Sequence, residues 1–193
     1  AFTFTIDKRS NTDTMGVMDA AIALSRQIDE VVVPEIDVYR LGIMAANAGT
    51  NRTEAITKTN AYSSLLDATV ALTNKKCPLD GRIAFVTPGY YKNIKQDNSF
   101  IQASDIAQEM LIKGQVGQVD NIAILVVPAT YLPDNSEFLV THRIATVAAQ
   151  KLAEYKIHED PPGINGYLVE GRVYYDAFVL NNKKDVIYLH KSV

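Results

Sequence analysis

Apolar and polar residues alternate at the start of the chain and then recur with a helical period. Phe2, Phe4 and Ile6 alternate with polar residues, which predicts a strand with one buried face. A polar elbow at residues 8–14 leads into an amphipathic helix that we expect to begin near Thr14. The apolar stripe of this helix is wide, so the helix should lie across a core. Its members are Met18, Ala21, Ile22, Ser25, Ile28 and Val32.

Pro34 interrupts this helical pattern. Proline lacks a backbone donor and disfavours helical conformation in the residue before it, here Val33. We therefore expect a kink or break at this point, followed by helix from Glu35 to about Ala46. If continuous, the two parts would make a rod of roughly 45 Å, at about 1.5 Å per residue.

The first strand needs a partner strand, because a run with one apolar side is not stable unpaired. No residue precedes Ala1 to pair with it. The sequence leaves three explanations open: the chain is a fragment, the partner comes from elsewhere in the fold, or the partner belongs to another molecule. The last of these would mean that the protein completes itself by contact with its own copies.

The rest of the sequence predicts helices and buried strands first, and strands alone afterwards. A loop at residues 47–51 marks a boundary between two lobes. Helices are predicted at 60–74, from Thr87 to about Gln96, and at 104–113. Strands are predicted at 82–87, 121–127, 138–147, 152–157, 167–180 and 186–190. This order of elements predicts the α+β class.

Composition and charge narrow the function classes. The 193 residues are 47% hydrophobic and 21% charged, which is ordinary for a soluble globular protein. No apolar run is long enough to cross a bilayer and no leader opens the chain, so neither a membrane partner nor export is expected. The net charge is −3 and no Lys/Arg run exceeds a pair, so dedicated nucleic-acid binding is not expected.

Few residues have the spacing that ligand binding requires. Gly114 and Gly117 follow a predicted helix instead of a strand, which favours a helix cap over a dinucleotide site. Thr87, Pro88 and Gly89 do join a strand to a helix, whose N-terminus could hold an anion. No Lys-Ser/Thr pair follows them, so the phosphate-loop pattern is incomplete.

The residues typical of catalysis and metal binding are scattered. His142, His158 and His190 share no metal-ligand spacing. Cys77 is the single cysteine, which excludes an internal disulfide, and it lies in a turn beside two lysines that could lower its pKa. Residues 158–160 are His, Glu and Asp in a row, but on an extended chain they point to alternate faces. We therefore predict no catalytic residue, no metal and no cofactor.

Five segments in the same order resemble the major capsid (coat) proteins of tailed bacteriophages and prophages of Gram-positive hosts. They cover nearly the whole chain and are residues 4–18, 33–40, 81–91, 155–166 and 168–180. The resemblance implies the tailed-phage coat fold, with a long spine helix, a peripheral domain and an axial domain. It also implies a structural function: self-assembly into rings of five and six that form an icosahedral head shell around phage DNA.

Under this resemblance the chain divides into three parts. Residues 1–13 would be the returning arm of an extended loop, 14–46 and 151–182 the peripheral domain, and 47–150 and 183–193 the axial domain. The N-terminal arm and the outgoing half of the loop would then be missing. We expect such a fragment to stay monomeric or to form small oligomers, and the full-length protein to form pentamers and hexamers.

The resemblance also implies partners, a location and candidate contact residues. The partners are copies of the chain, a scaffold protein and non-specifically packaged DNA. The location is the virion capsid, after synthesis in the bacterial host cytoplasm. The subunit-interface candidates are Phe2, Phe4, Asp7, Lys8, Arg9, Asp19, Arg26, Glu30 and Tyr91.

Three different functions remain open beside this one. The shell of a bacterial protein nanocompartment shares the coat fold and differs in its cargo. A cytosolic α+β enzyme could form a convergent site around Thr87 and Tyr90. A monomeric binding module could use the exposed first strand to recruit a peptide by strand addition.

Overall fold

The structure is a computed structural model that describes residues 1–13, 19–97, 99–100 and 118–193. Its helices are α1 (Lys8–Asp13), α2 (Ala20–Gln27), α3 (Val33–Ala46), α4 (Ala61–Asn74) and α5 (Pro88–Gln96). Its strands are β1 (Phe2–Asp7), β2 (Thr50–Thr53), β3 (Arg82–Val86), β4 (Gln118–Val119), β5 (Ile122–Val126), β6 (Ser136–His142), β7 (Thr146–Glu159), β8 (Gly166–Val179) and β9 (Tyr188–Lys191). The class is α+β, as the sequence predicts. The helix predicted at 104–113 lies outside the described residues, as do Gly114 and Gly117.

The chain divides into two compact units. Unit 1 comprises Ala1–Arg40 and Ala148–Ala177, and unit 2 comprises Leu41–Val147 and Phe178–Val193. The domain boundaries that the family resemblance implies lie a few residues further along, after Ala46, Gln150 and Asn182. Among the residues that the structure describes, each helix is too short or too polar to span a membrane.

Unit 1 contains a three-stranded sheet in the order β1-β8-β7. β1 pairs antiparallel with β8, from Phe2 opposite Gly171 to Asp7 opposite Gly166. The partner of the first strand therefore comes from elsewhere in the same fold, which is one of the three explanations that the sequence leaves open. The second edge of β1 pairs with no strand in the described part of the chain.

The predicted polar elbow is corrected. Most of the elbow forms the short helix α1, which Asp7 begins by accepting a hydrogen bond at Oδ1 from the Arg9 N–H, 2.7 Å away. The next helix, α2, begins at Ala20, with Asp19 as its N-cap. The start predicted near Thr14 lies outside the described residues.

A π-helical segment, Ile28–Val32, joins α2 to α3, so the chain stays helical through Pro34 and the predicted break is wrong. The alternative, a kink at this point, stays a prediction. Val33 is helical, with φ −63° and ψ −49°, and its N–H bonds to the Ile28 carbonyl. The ring of a proline within an α-helix crowds the carbonyl four residues earlier. Hydrogen bonds that span five residues loosen the turn before Pro34, and this explains how the helix accommodates the proline.

Unit 2 contains a six-stranded mixed sheet in the order β2-β9-β6-β3-β5-β4. β2 runs parallel to β9, and β3 runs parallel to β5. α4 packs against α5 and β9, while α5 packs against β6. The apolar core of this unit includes Leu65, Leu72, Ile94, Phe138, Ile187 and Leu189.

Three strand predictions need correction in unit 2. β2 falls partly in the predicted loop at residues 47–51, because its sequence carries no apolar alternation and its strand conformation comes from pairing with β9. The extended segment predicted at 138–147 is broken by a turn between β6 and β7. β5 is not buried on both faces, since Ala123 and Leu125 are exposed.

Arg82 is a buried cation at the start of β3, only 1% exposed. Its Nε donates to the Pro78 carbonyl at 2.8 Å, and its Nη2 donates to the Cys77 carbonyl at 2.8 Å and to Thr73 Oγ1 at 3.1 Å. Its Nη1 donates to the Thr69 carbonyl at 3.3 Å. The guanidinium thus satisfies one carbonyl of α4, that of Thr69, and two carbonyls of the loop that follows the helix. It lies near the C-terminal end of α4, where the helix dipole favours a positive charge.

Candidate subunit interface

β1, with three of the candidate residues, Phe2, Phe4 and Asp7, lies at the edge of its sheet. Ile6 is buried in the small apolar cluster of unit 1, and Phe4 packs against that cluster. Phe2 lies over Gly171 of β8, so that a Cβ added at Gly171 would overlap the Phe2 ring. The Phe2 ring also stacks on Phe4 and contacts Tyr155, with centroids 6.2 and 6.4 Å away. Both phenylalanines are only half-buried, which leaves apolar area at this edge.

The charged candidates Asp7, Lys8 and Arg9 lie where β1 meets α1. Asp7 caps α1, as described above, and Lys8 Nζ lies 3.0 Å from Asp160 Oδ2. The hydrogen bond of Lys8 to this carboxylate, with the accompanying charge attraction, raises the pKa of Lys8. Arg9 is exposed. The surface pair of Lys8 and Asp160 is weak in water, so Lys8 can exchange partners at little cost.

The helical candidates also have local roles. Asp19 Oδ1 accepts a hydrogen bond from the Ala21 N–H at 2.8 Å, which satisfies one of the free donors of α2. Arg26 Nε lies 3.3 Å from Glu30 Oε1, and both side chains are exposed. This pair has the spacing of neighbours on a helix surface and contributes about 0.3–0.5 kcal/mol.

Tyr91 belongs to the periphery of the unit 2 core. It lies on α5 and is half-buried, and the Lys95 Nζ stands 4.5 Å from the centroid of its ring. The structure thus brings together Phe2 with Phe4 and Arg26 with Glu30, and it places Tyr91 in the other unit. That these residues contact a neighbouring subunit stays a prediction.

The outer face of the unit 1 sheet carries alternating charges. Glu154 Oε1 lies 2.7 Å from Lys156 Nζ on β7, and this contact, followed by attraction from Arg172 of β8, lowers the pKa of Glu154. Lys156 also interacts with Glu170 of β8. A shallow groove of about 320 Å³ crosses this face beside Thr3. Because the carboxylates and the cations on this face interact with one another, the face offers neither an anion site nor a cation site.

The Thr87 and Tyr90 region, considered as a possible catalytic site, is used by the fold. Thr87 Oγ1 accepts from the Tyr90 N–H at 3.3 Å and donates to Glu137 Oε2 at 3.3 Å. Tyr90 is fully buried and donates to the Ala61 carbonyl at 2.8 Å, and burial raises the pKa of its hydroxyl strongly. Because a carboxylate already stands beside the cap of α5, this helix start is also a poor anion site.

His142 and His190 each have hydrogen-bond partners of their own. His142 Nδ1 accepts from the Ile144 N–H at 3.1 Å, so its Nε2 carries the proton and donates to the Asp80 carbonyl at 2.7 Å. His190 is fully buried, with Nε2 3.0 Å from the Glu54 carbonyl, and burial lowers its pKa. No cluster of His, Cys, Asp or Glu suited to a metal occurs among the described residues.

Cys77 is a buried thiol rather than a reactive one. It is 5% exposed, and its burial raises its pKa, with Arg82 opposing that shift. The pKa lowering that the neighbouring lysines could produce is therefore outweighed by desolvation.

One charged surface does not show in the sequence, and we name it the basic end. It consists of three loops of unit 2, residues 75–81, 142–145 and 180–186. Lys75 Nζ lies 3.2 Å from Asp185 Oδ1, and the Leu180 N–H bonds to the Ala145 carbonyl at 3.2 Å. The His142–Asp80 contact joins the first two loops. The loops carry two carboxylates, Asp80 and Asp185, against the cations Lys75, Lys76, Arg143, Lys183 and Lys184.

The sequence could not reveal the basic end because its cations lie in three short segments that are far apart along the chain. Only the folding of the three loops against one another concentrates them. The signal available beforehand was the Lys-Lys pairs at 75–76 and 183–184, which are too short to stand out.

The edge strand, the long helical segment and the mixed sheet together define the capsid fold of tailed phages. The family model for phage capsid proteins matches residues 1–189 of the sequence. The chain therefore belongs to the phage capsid protein family, and it is a structural coat protein of an icosahedral phage head. The family match favours this class over a nanocompartment shell, a cytosolic enzyme and a monomeric binding module.

Solved structures share this fold at low sequence identity. The chain is similar to a structure from Mycobacterium phage Che8, with TM-score 0.77 and 16% identity over 98% of this chain and 68% of that one. It is equally similar to the capsid of cyanophage P-SCSP1u, with TM-score 0.77 and 16% identity over 100% of this chain and 71% of that one. The head structure of Helicobacter pylori bacteriophage KHP40 matches with TM-score 0.71 and 12% identity over 99% of this chain and 72% of that one. No curated protein sequence gave a significant match.

Proposed function

We propose that the protein acts as the major capsid subunit that closes into rings of five and six, and that these rings tile the head shell. The observation that carries this proposal is the family match over residues 1–189. The small core of unit 1 supports it, because its buried cluster in the described residues is Ile6, Ala20 and Val169. A unit with so little buried apolar area gains stability from contact with neighbours.

The two compact units correspond, in this proposal, to the two domains of the coat fold. Unit 1 would hold the arm, assigned to residues 1–13, and most of the peripheral domain, assigned to 14–46 and 151–182. Unit 2 would hold most of the axial domain, assigned to 47–150 and 183–193, which would surround the five-fold and six-fold axes. The edge of β1, with Phe2 and Phe4, would meet the adjacent subunit. Asp7, Lys8, Arg9, Asp19, Arg26, Glu30 and Tyr91 would contribute further contacts.

The remaining partners follow from the same role. The subunit would be made in the bacterial host cytoplasm, would assemble around a scaffold protein, and would then enclose DNA without reading its sequence. The net charge of −3 supports loose enclosure, because a protein that binds DNA tightly neutralises many phosphates. The role is structural, and the proposal assigns no catalytic residue.

Light scattering on the protein expressed from its complete gene tests this function. Rings or shells should form above a threshold concentration, since many weak contacts add cooperatively in a closed lattice. A protein that remains a stable monomer at high concentration, with and without a co-expressed scaffold, would contradict the proposal.

A further inference from the structure

The basic end of unit 2 combines positive charge with exposed aliphatic side chains. Its lysines and Arg143 are exposed or half-buried, although the chain as a whole is acidic. Between them lie Leu79, 53% exposed, Ile144, 38% exposed, and Leu180, 42% exposed. A surface of this composition suits a protein partner that is acidic and partly apolar.

The helical segment of unit 1 offers a surface of the opposite charge. Asp29, Val33 and Asp37 are spaced by four residues, which places them along one side of the helix. Glu30 and Val38 are exposed beside them, and Glu30 forms a surface ion pair with Arg26. We name these five residues the acidic stripe. Val33 is 43% exposed and Val38 is 39% exposed, so the stripe also mixes carboxylates with aliphatic area.

From these two surfaces we infer that the basic end of one copy docks on the acidic stripe of the next copy of this chain. The inference rests on the proposed function, because it assumes that copies of the subunit associate. Lys76, Lys183 and Lys184 face carboxylates across the contact, and Leu79 and Leu180 cover the exposed valines. Opposite charges then steer the encounter, and the aliphatic contact removes apolar area from water.

A contact between two different surfaces is head-to-tail. Each copy keeps one free basic end and one free acidic stripe until the last copy closes the ring. Rings of either five or six can close with the same pair of surfaces if the angle between neighbours varies slightly. Such adjustment is easier for long, flexible lysine side chains than for a tightly fitted apolar interface.

The DNA phosphate backbone is the other acidic partner to consider for the basic end. Two observations favour protein over DNA. The carboxylates of Asp80 and Asp185 lie among the cations, and Asp185 engages Lys75 at 3.2 Å. The exposed leucines and isoleucine would gain nothing from a phosphate backbone, whereas they would be buried by the valines of the acidic stripe.

A charge-reversal experiment tests this contact in the protein expressed from its complete gene. One variant carries Lys76→Glu and Lys184→Glu, a second carries Asp29→Lys and Asp37→Lys, and a third combines all four substitutions. A matched control carries Lys58→Glu and Lys92→Glu, which make the same charge change at exposed positions outside the basic end. The threshold concentration for assembly is measured by light scattering, and thermal unfolding confirms that each variant is folded.

The contact predicts that each single-sided reversal raises the assembly threshold at least tenfold, that the combined variant returns to within about threefold of the wild type, and that the control is unchanged. The inference is overturned if single-sided variants assemble normally or if combining them restores nothing. Normal assembly with weaker DNA retention in the basic-end variant would instead assign that surface to phosphates. Wild-type protein that never assembles would contradict the proposed function itself.

Discussion

At the scale of single residues, the polar groups buried in unit 2 determine how its loops fold. Arg82 ties the C-terminal end of α4 to β3 through four hydrogen bonds to neutral acceptors. Tyr90 ties α5 to the first turn of α4 through the Ala61 carbonyl. Asp97, 2% exposed, accepts from the Tyr62 N–H at 3.0 Å and stabilises the start of α4. The burial of Arg82 and Asp97 could not be predicted from the sequence, because their partners come together only on folding.

Replacement of Arg82 by Met should destabilise unit 2 strongly. The substitution keeps much of the buried apolar stem but leaves the Pro78 and Cys77 carbonyls without their donor. Because an unsatisfied buried carbonyl costs about 1–3 kcal/mol, we expect a loss of about 3 kcal/mol in the free energy of unfolding. Urea denaturation measures this loss, with the exposed Lys92→Met as the control. An Arg82→Met protein as stable as that control would refute the structural role of the guanidinium.

His190 should make the stability of unit 2 depend on pH. Burial holds the pKa of this histidine below its ordinary value of 6.5. Above pH 6.5 the ring is neutral in both states; below it, the unfolded chain takes up a proton that the folded protein resists. Stability should therefore fall as the pH drops below 6.5, and His190→Gln should weaken this dependence. Unfolding curves between about pH 5 and pH 8 give the free energy of unfolding of both proteins as a function of pH. The same pH dependence in the wild type and in His190→Gln would contradict the prediction.

At the scale of elements, the sequence pattern predicts strand and helix positions wherever the pattern is strong. The apolar alternation of β1, the helix at α4 and the buried strand β3 all lie close to their predicted bounds. The failures have physical causes. β2 lacks an apolar pattern and depends on β9, and the short helix α1 depends on a cap by Asp7. The predicted break at Pro34 fails because a π turn leaves no simple sequence signal.

The π segment keeps one face of the helix toward the core. Ala20, Leu24, Ile28, Val32 and Ile36 are buried or half-buried and recur every four residues. At about 100° per residue, an α-helix would turn such a series by about 40° at each step. The π turn adds one residue to the helix without rotating the following residues further around its axis. It thereby offsets most of the rotation that the four-residue spacing would otherwise accumulate.

Removal of one residue from the π segment should therefore be tolerated. The test is made in protein that also carries Pro34→Ala, which removes the ring that the π turn accommodates. In that background, deletion of Val31 shortens the spacing from Ile28 to Val32, and we expect an uninterrupted α-helix with at most about 1 kcal/mol lost. Insertion of one Ala at the same place should cost about 3 kcal/mol or more, because apolar residues on one side of the segment leave the core. Circular dichroism measures the helix content of the deletion and insertion variants, and thermal unfolding measures their stability. Equal losses for the deletion and the insertion would rule out this account of the π turn.

Gly171 and Phe2 should behave as one packing unit in the edge pair of β1 and β8. Gly171→Ala introduces a methyl group that overlaps the Phe2 ring, and we expect a loss of about 1–2 kcal/mol. In Phe2→Ala protein, which already lacks the ring, the same change at Gly171 should cost much less. Equilibrium unfolding of the two single variants and the double variant gives the coupling between them. Additive losses would show that the ring does not rest on Gly171.

At the scale of the whole molecule, the two units differ in how far they complete themselves. Unit 2 has a broad core on its sheet, whereas the buried cluster of unit 1 is small in the described residues and its edge strand has a free side there. Sequence resemblance indicated the fold and the structural role, which the family match confirms. The contact residues could not be predicted as firmly, because they depend on how copies meet.

Electron microscopy of the product of the complete gene, expressed alone and resolved to individual subunits, is the most direct test of the central claim. That claim is that copies of this chain build a closed shell. Particles made of rings of five and six, each subunit with the β1-β8-β7 sheet and the six-stranded sheet described above, are the predicted result. Monodisperse single subunits at concentrations where other coat proteins assemble, or particles whose subunits have a different fold, would contradict it.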